Sequence, residues 1–220
     1  MRSLPLPLAL TARLAPVAVL ATAGWALSSG PDTPSAAKDP TPPDTANRSA
    51  SAPATEAVTK TYAAAPAPCE SLAGKTVASL VPGAEADGKE IPSTDTQVRR
   101  TCSWNALKGY DYRWLDVSFE VMESDEAARK SYEERTADKG GGGPVPGLGD
   151  AAYSVVNLTT EDKQQTREGT VMTRAANALV IITYNGSDFE TRKAPGTEEI
   201  NKGAIKAAKE AVSALESNGG

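Results

Sequence analysis

Residues 168–186 read Glu-Gly-Thr-Val-Met-Thr-Arg-Ala-Ala-Asn-Ala-Leu-Val-Ile-Ile-Thr-Tyr-Asn-Gly. The second half, Ala178 to Tyr184, is the densest β-branched apolar run beyond the N-terminal segment. It is too short for a free-standing helix, and Asn177 and Asn185-Gly186 bound it, so it reads as a strand. Alternation puts Leu179 and Ile181 on one face and Val180, Ile182 and Tyr184 on the other. A strand apolar on both faces belongs in the middle of a covered sheet.

Working outward, Glu168 to Arg174 reads as the preceding strand, turned by Ala175-Ala176-Asn177 into the central one as a hairpin. Ala151 to Thr159 is another strand, and residues 160–167 a polar loop between the two. Tyr110 to Met122 has a period of two: Leu115, Val117, Phe119 and Val121 share one face, and Tyr110, Tyr112, Trp114, Asp116, Ser118 and Glu120 the other. Val98 to Trp104 reads as its neighbour. Ser124 is placed to cap a helix whose first turn holds Asp125 and Glu126. Short helical spacing over Ser71 to Val81 ends at Pro82-Gly83, and Thr197 opens a last helix. There Ile200, Ala204, Ala207, Ala208, Ala211, Val212 and Leu215 form one stripe. Strands joined by hairpins, with helices before, between and after them, predict an α+β fold: an antiparallel sheet packed by helices.

The chain has 220 residues, a formal net charge of −5 and no histidine. An acidic domain without a Lys/Arg cluster is a poor partner for nucleic acid or an anionic membrane. Lacking histidine, it has neither the commonest general base nor the commonest zinc ligand, and no Ser-His or Cys-His nucleophile. Residues 1–29, with Arg2 and Arg13 before an apolar run to Leu27, read as a signal peptide or uncleaved anchor. No cysteine follows the run, so no thioether lipid is expected. Residues 30–68, rich in Pro, Ala, Ser and Thr, read as a disordered tether, and residues 69–217 as the single domain. Behind an export signal the two cysteines, Cys69 and Cys102, read as one disulfide, outside the cytoplasm. Three Asn-x-Ser/Thr triplets, at Asn47, Asn157 and Asn185, are common by chance and carry no argument.

Pro68-Cys69 before a short helix, Cys102-Ser-Trp104, Gly147-Leu-Gly-Asp-Ala-Ala152 ahead of a strand, and the final hairpin together resemble a family of actinobacterial secreted and lipid-anchored domains of unknown function. More distantly the pattern is similar to the PsbP and mycobacterial LpqN-type fold. The resemblance covers about residues 68–215. It implies an envelope protein outside the cytoplasm, with an antiparallel sheet packed by helices, and it brings no catalytic residues. The missing lipid-bearing cysteine departs from the lipid-anchored members.

Gly147-x-Gly149-x-x-Ala152 fits a dinucleotide fingerprint in letters only, because a strand rather than a helix is predicted after it. Gly140 to Gly143 lacks the Lys-Ser/Thr of a phosphate loop and reads as a connector. Glu133 and Glu134 point about 100° apart on a helix, a poor acid–base pair, and Asp150 reads as a turn residue. No calcium loop is present. These readings predict no cofactor, no metal and no enzyme, with a carboxylate-dependent hydrolase or a purely structural wall protein as the alternatives. Tyr110, Tyr112 and Trp114 are the candidate binding residues. Covered by a helix they would be a second core layer. Uncovered, they would be a stacking surface for an envelope lipid, glycan or protein.

Overall fold

The computed structural model describes residues 60–137 and 140–218. The expected export segment, the tether up to residue 59 and the Asn47 triplet lie outside the described residues. After a 3₁₀ turn at Pro68–Glu70 come α1 (Gly74–Leu80), β1 (Lys89–Ile91), β2 (Arg99–Lys108), β3 (Asp111–Val121), α2 (Asp125–Thr136), β4 (Gly143–Pro144), β5 (Ala151–Glu161), β6 (Gln164–Ala175), β7 (Ala178–Asp188) and α3 (Thr197–Asn218). The strands form one antiparallel sheet in the order β1-β2-β3-β7-β6-β5-β4. The fold is α+β, and β7, which holds the apolar run, is its central strand.

One face of the sheet carries the main core. Trp104 from β2, Leu115, Val117 and Phe119 from β3, Val171 from β6 and Val180, Ile182 and Tyr184 from β7 meet α1 and α3 there. All seven residues of the expected α3 stripe are buried. A fully buried Leu, Ile or Val side chain contributes about 1.5–3 kcal/mol, so α3 is held by its face rather than by helix propensity. Its seat is tight. A Cβ on Gly169 would stand 2.9 Å from Ile200 Cγ2, and one on Gly203 would stand 2.6 Å from the Tyr184 ring. The Tyr184 hydroxyl donates to the Leu80 carbonyl (2.8 Å), tying α1 to β7, and Glu210 accepts from the Thr76 hydroxyl (2.6 Å), tying α1 to α3.

Cys69 and Cys102 are disulfide-bonded across a separation of 33 residues. The bond staples the 3₁₀ turn before α1 to β2. Closing a loop of that length is worth about 3–4 kcal/mol on the chain-entropy argument.

The structure differs from expectation in three places. Residues 60–68, assigned to the tether, belong to the folded domain: Tyr62 and Ala65 are buried in the core. Tyr62 is held at backbone level by the Asn177 side chain, whose Oδ1 accepts from Tyr62 N–H (2.8 Å) and whose Nδ2 donates to Tyr62 C=O (2.9 Å). Proline and alanine content hides such a strap, because its anchorage lies on a distant residue. The polar loop at residues 160–167 is instead a continuous hairpin turning at Asp162 and Lys163, both at positive φ. Backbone pairing carries polar strands past the edge of the core, which side-chain patterning does not register. The short edge strands β1 and β4 have no counterpart among the expected strands.

On the second face, α2 packs against β6 and β7. Ser124 caps it, its hydroxyl accepting from Ala127 N–H (3.1 Å). Beneath lie Leu179, Met172 and Val155, buried apart from the main core, with Ala128 of α2. The buried Glu120 faces Arg135 (2.7 Å) and Arg99 (3.5 Å). α2 starts beside Asn177, whose Nδ2 also donates to Met122 C=O (3.0 Å), and it covers only that end. The other end of the second face is open.

Candidate functional site

The open end holds the expected aromatic residues. Trp114 is 36% exposed and Tyr110 57% exposed, while Tyr112 is half-buried. Of the two readings of this row, the structure shows the uncovered one: α2 is short, buries Ala128 alone among its residues, and sits over the opposite half. Tyr110 departs from the ladder in another way. It belongs to the turn Gly109-Tyr110 between β2 and β3, where Gly109 takes a φ of 64°.

Two further apolar side chains stand here. Leu107, paired with Tyr112 across the β2–β3 hairpin, is 57% exposed, and Phe189 at the end of β7 is 48% exposed. Tyr112 is the centre of the cluster. Its ring meets Trp114 edge-on (centroids 6.4 Å, 77°) and lies tilted against Phe189 (6.0 Å, 35°). Such pairs are worth about 0.5–1.5 kcal/mol beyond area burial. The rings are therefore a faceted cluster, not a flat ladder. Leu107 escapes the sequence reading because the strand read over Val98 to Trp104 stops short of it, and Phe189 because Asn185-Gly186 bounds the central strand there. Carrying the alternation of the Leu179 and Ile181 face on through Thr183, Asn185 and Ser187 would have reached Phe189.

Local geometry fixes the cluster. The Trp114 indole N–H donates to Asp116 Oδ1 (2.6 Å). Phe189 N–H donates to the Tyr110 carbonyl (2.9 Å), closing the sheet end. Asp188 Oδ1 accepts from the Thr191 amide (2.6 Å) and hydroxyl (2.8 Å), which folds back the loop behind Phe189. These bonds hold the Asp188 carboxyl below the usual range. Burial, then the nearby Asp116 charge, pushes the Tyr112 hydroxyl up, so it is a neutral donor at physiological pH.

The other sequence candidates have structural places. Glu133 pairs with Arg129 (3.4 Å) and Glu134 with Lys130 (3.9 Å) along the α2 surface. Asp150 Oδ2 accepts from Ala176 N–H (2.7 Å) and Arg174 Nη1 (3.0 Å), bracing the β6–β7 turn. Gly149 precedes β5, not a helix, and has a φ of 56° with Arg174 C=O 2.5 Å from where a Cβ would be. That close approach explains the Gly-Leu-Gly-Asp motif as turn chemistry.

A groove of about 330 Å³ between β4 and α3 and one of about 430 Å³ beneath the 60–67 strap have no carboxylate in their walls. Hydrogen bonds hold the carboxyls of Glu90, Asp188 and Glu198 below the usual range. Among the described residues no three His, Cys, Asp or Glu groups converge as metal ligands, and no helix is long and apolar enough to cross a membrane.

No family model matches the chain, and no curated relative does. Among solved structures it is similar to the extracellular domain of PknH from Mycobacterium tuberculosis, with 12% identity and a TM-score of 0.29, over 54% of this chain and 65% of that one. A likeness that low carries no argument about function.

Proposed function

We propose that the chain is an exported, non-catalytic binding module of the cell envelope, and that Tyr112, Trp114 and their neighbours Leu107, Tyr110 and Phe189 form its recognition surface. One observation carries this reading: a fold that covers its first sheet face with α3 and half of its second with α2 leaves aromatic side chains uncovered on the remaining half. Exposed aromatics gathered at one place mark contact surfaces more often than isolated exposed apolar residues do. The disulfide fits an oxidising compartment. The resemblance carried by Cys102-Ser-Trp104 and Gly147-Leu-Gly-Asp150 fits an extracytoplasmic protein.

Geometry adds an orientation. Lys60 and Tyr62 join the sheet beside Glu123 and Asn177, at the end of β3 where Val121 pairs with Ala178. The aromatic cluster lies at the other end, where Asp111 pairs with Asp188. The eleven residues of β3 separate them by about 30 Å. A module held from its N-terminal side would thus present the cluster outward.

The test is capture of the purified protein on envelope material separated into lipid vesicles, glycan and protein. Wild type should be retained by one fraction, and Tyr112→Ala with Trp114→Ala should lower retention at least tenfold. Equal retention of wild type and variant removes the proposed surface.

A further inference from the structure

We infer that the ligand of this surface is an uncharged oligosaccharide lying across β2, β3 and β7 with one sugar ring on the Trp114 indole; the inference rests on the aromatic cluster being the binding surface. Strand register places Asn105, Trp114 and Asn185 in one row, so an amide flanks the indole on either side. Two strand spacings make this row about 10 Å wide, the reach of a short sugar chain. Among the described residues neither amide has a hydrogen-bond partner. The next row is Ser103, Asp116 and Thr183. Asp116 holds the indole N–H with one carboxylate oxygen and leaves the other as an acceptor, so the ring is already fixed and flanked by an oxygen.

A second observation comes from Ser103. Its hydroxyl is buried and has no partner among the described residues. It lines a shallow groove of about 190 Å³ together with Asn105, Glu85 and Lys89, two residues from Asn105 and on the same face. The large majority of buried side-chain polar atoms in folded proteins find partners. Ser103 shares its lack of one with Thr173, but Ser103 borders a groove beside Asn105, where a hydroxyl-bearing ligand settling in from the indole would supply one.

The chemistry matches one ligand class. A pyranose has a C–H face that lies on an aromatic ring and a rim of hydroxyls that both donate and accept. The amides, the Asp116 oxygen and the Ser103 hydroxyl offer the complement. A lipid tail or an apolar protein side chain would strip water from the same groups and return no hydrogen bond. Asp116, and Glu168 beside Asn185 on β6, disfavour an acidic sugar, and Lys89 at the far side of the groove is the one cation in these rows.

The experiment is titration of the purified, oxidised protein with neutral gluco-, manno- and N-acetylglucosamine oligosaccharides and with uronate-containing counterparts, followed by calorimetry and amide NMR. Saturable binding to a neutral series is expected, with shifts at Asn105, Trp114 and Asn185, and weaker binding of the uronates. Trp114→Ala should weaken it roughly tenfold or more, and Asn105→Ala and Asn185→Ala about three- to tenfold each, with melting temperatures close to wild type. No saturable binding across the panel overturns the inference, as does binding that these three substitutions leave unchanged. Trp114-dependent retention on protein or vesicles without oligosaccharide binding overturns the sugar assignment and leaves the binding module standing. Retention indifferent to Trp114 overturns both.

Discussion

Asn177 is the residue on which the described fold closes. Fully buried, its side chain makes three hydrogen bonds to backbone groups of Tyr62 and Met122. In the sequence it reads only as a turn residue, since its partner at Tyr62 lies 115 positions away and no local pattern announces so distant a bond. Asn177→Ala should cost about 2–4 kcal/mol, because it leaves buried backbone groups unsatisfied. A urea-unfolding midpoint within error of wild type would contradict this. The site shows the same limit: Tyr112 and Trp114 were legible from a period of two, whereas Leu107 and Phe189 join them only through pairing across strands.

Among the elements, α3 was the most legible and is the most constrained. Its stripe of Ala, Ile, Val and Leu follows helical spacing, and each expected member is buried. The spacing does not reveal why a glycine interrupts it. At Gly203 a methyl would press into the Tyr184 ring at 2.6 Å and stand 3.1 Å from Leu80 Cδ2. Gly203→Ala gains about 1 kcal/mol in helix propensity against about 1–3 kcal/mol of overpacking. Net destabilisation is expected, read as a lower melting temperature; a rise would show that the helix shifts to make room. The edge strands β1 and β4, three and two residues long, have no periodicity to read. Their existence depends on the neighbours they pair with.

For the molecule as a whole, hairpin connectivity and the doubly apolar β7 were enough to give the fold class. How far the helices reach over the sheet was not legible, because coverage depends on where α2 lands. Charge linkage acts at this scale too. Hydrogen bonds from Arg100 hold Glu90 below its ordinary 4.5, the Thr191 amide holds Asp188 below 3.8, and Lys202 holds Glu198 below 4.5. A carboxyl depressed in the folded state contributes stability above its unfolded value and loses it as pH falls through the folded one. Tyr184 is the reverse: burial, first of its causes, raises it above 10.0, so its contribution is complete below pH 10.0 and is lost as pH rises beyond it. The unfolding free energy should therefore be level between about pH 5 and 9 and fall on both sides. Stability unchanged to pH 11 would show that Tyr184 ionises freely in the folded state.

The Cys69–Cys102 bond has a mechanical consequence. Tension applied upstream of Lys60 against cargo gripped at Trp114 first peels the strap around Tyr62, which hydrogen bonds, packing and the Lys60–Glu123 ion pair retain without a covalent link. It then reaches a covalent stop. From Cys69 the load crosses sulfur to Cys102 and runs along the strand that bears Asn105, bypassing α1 and everything else between the two cysteines. The oxidised protein behaves as a leash with a built-in catch, and the reduced protein has lost it.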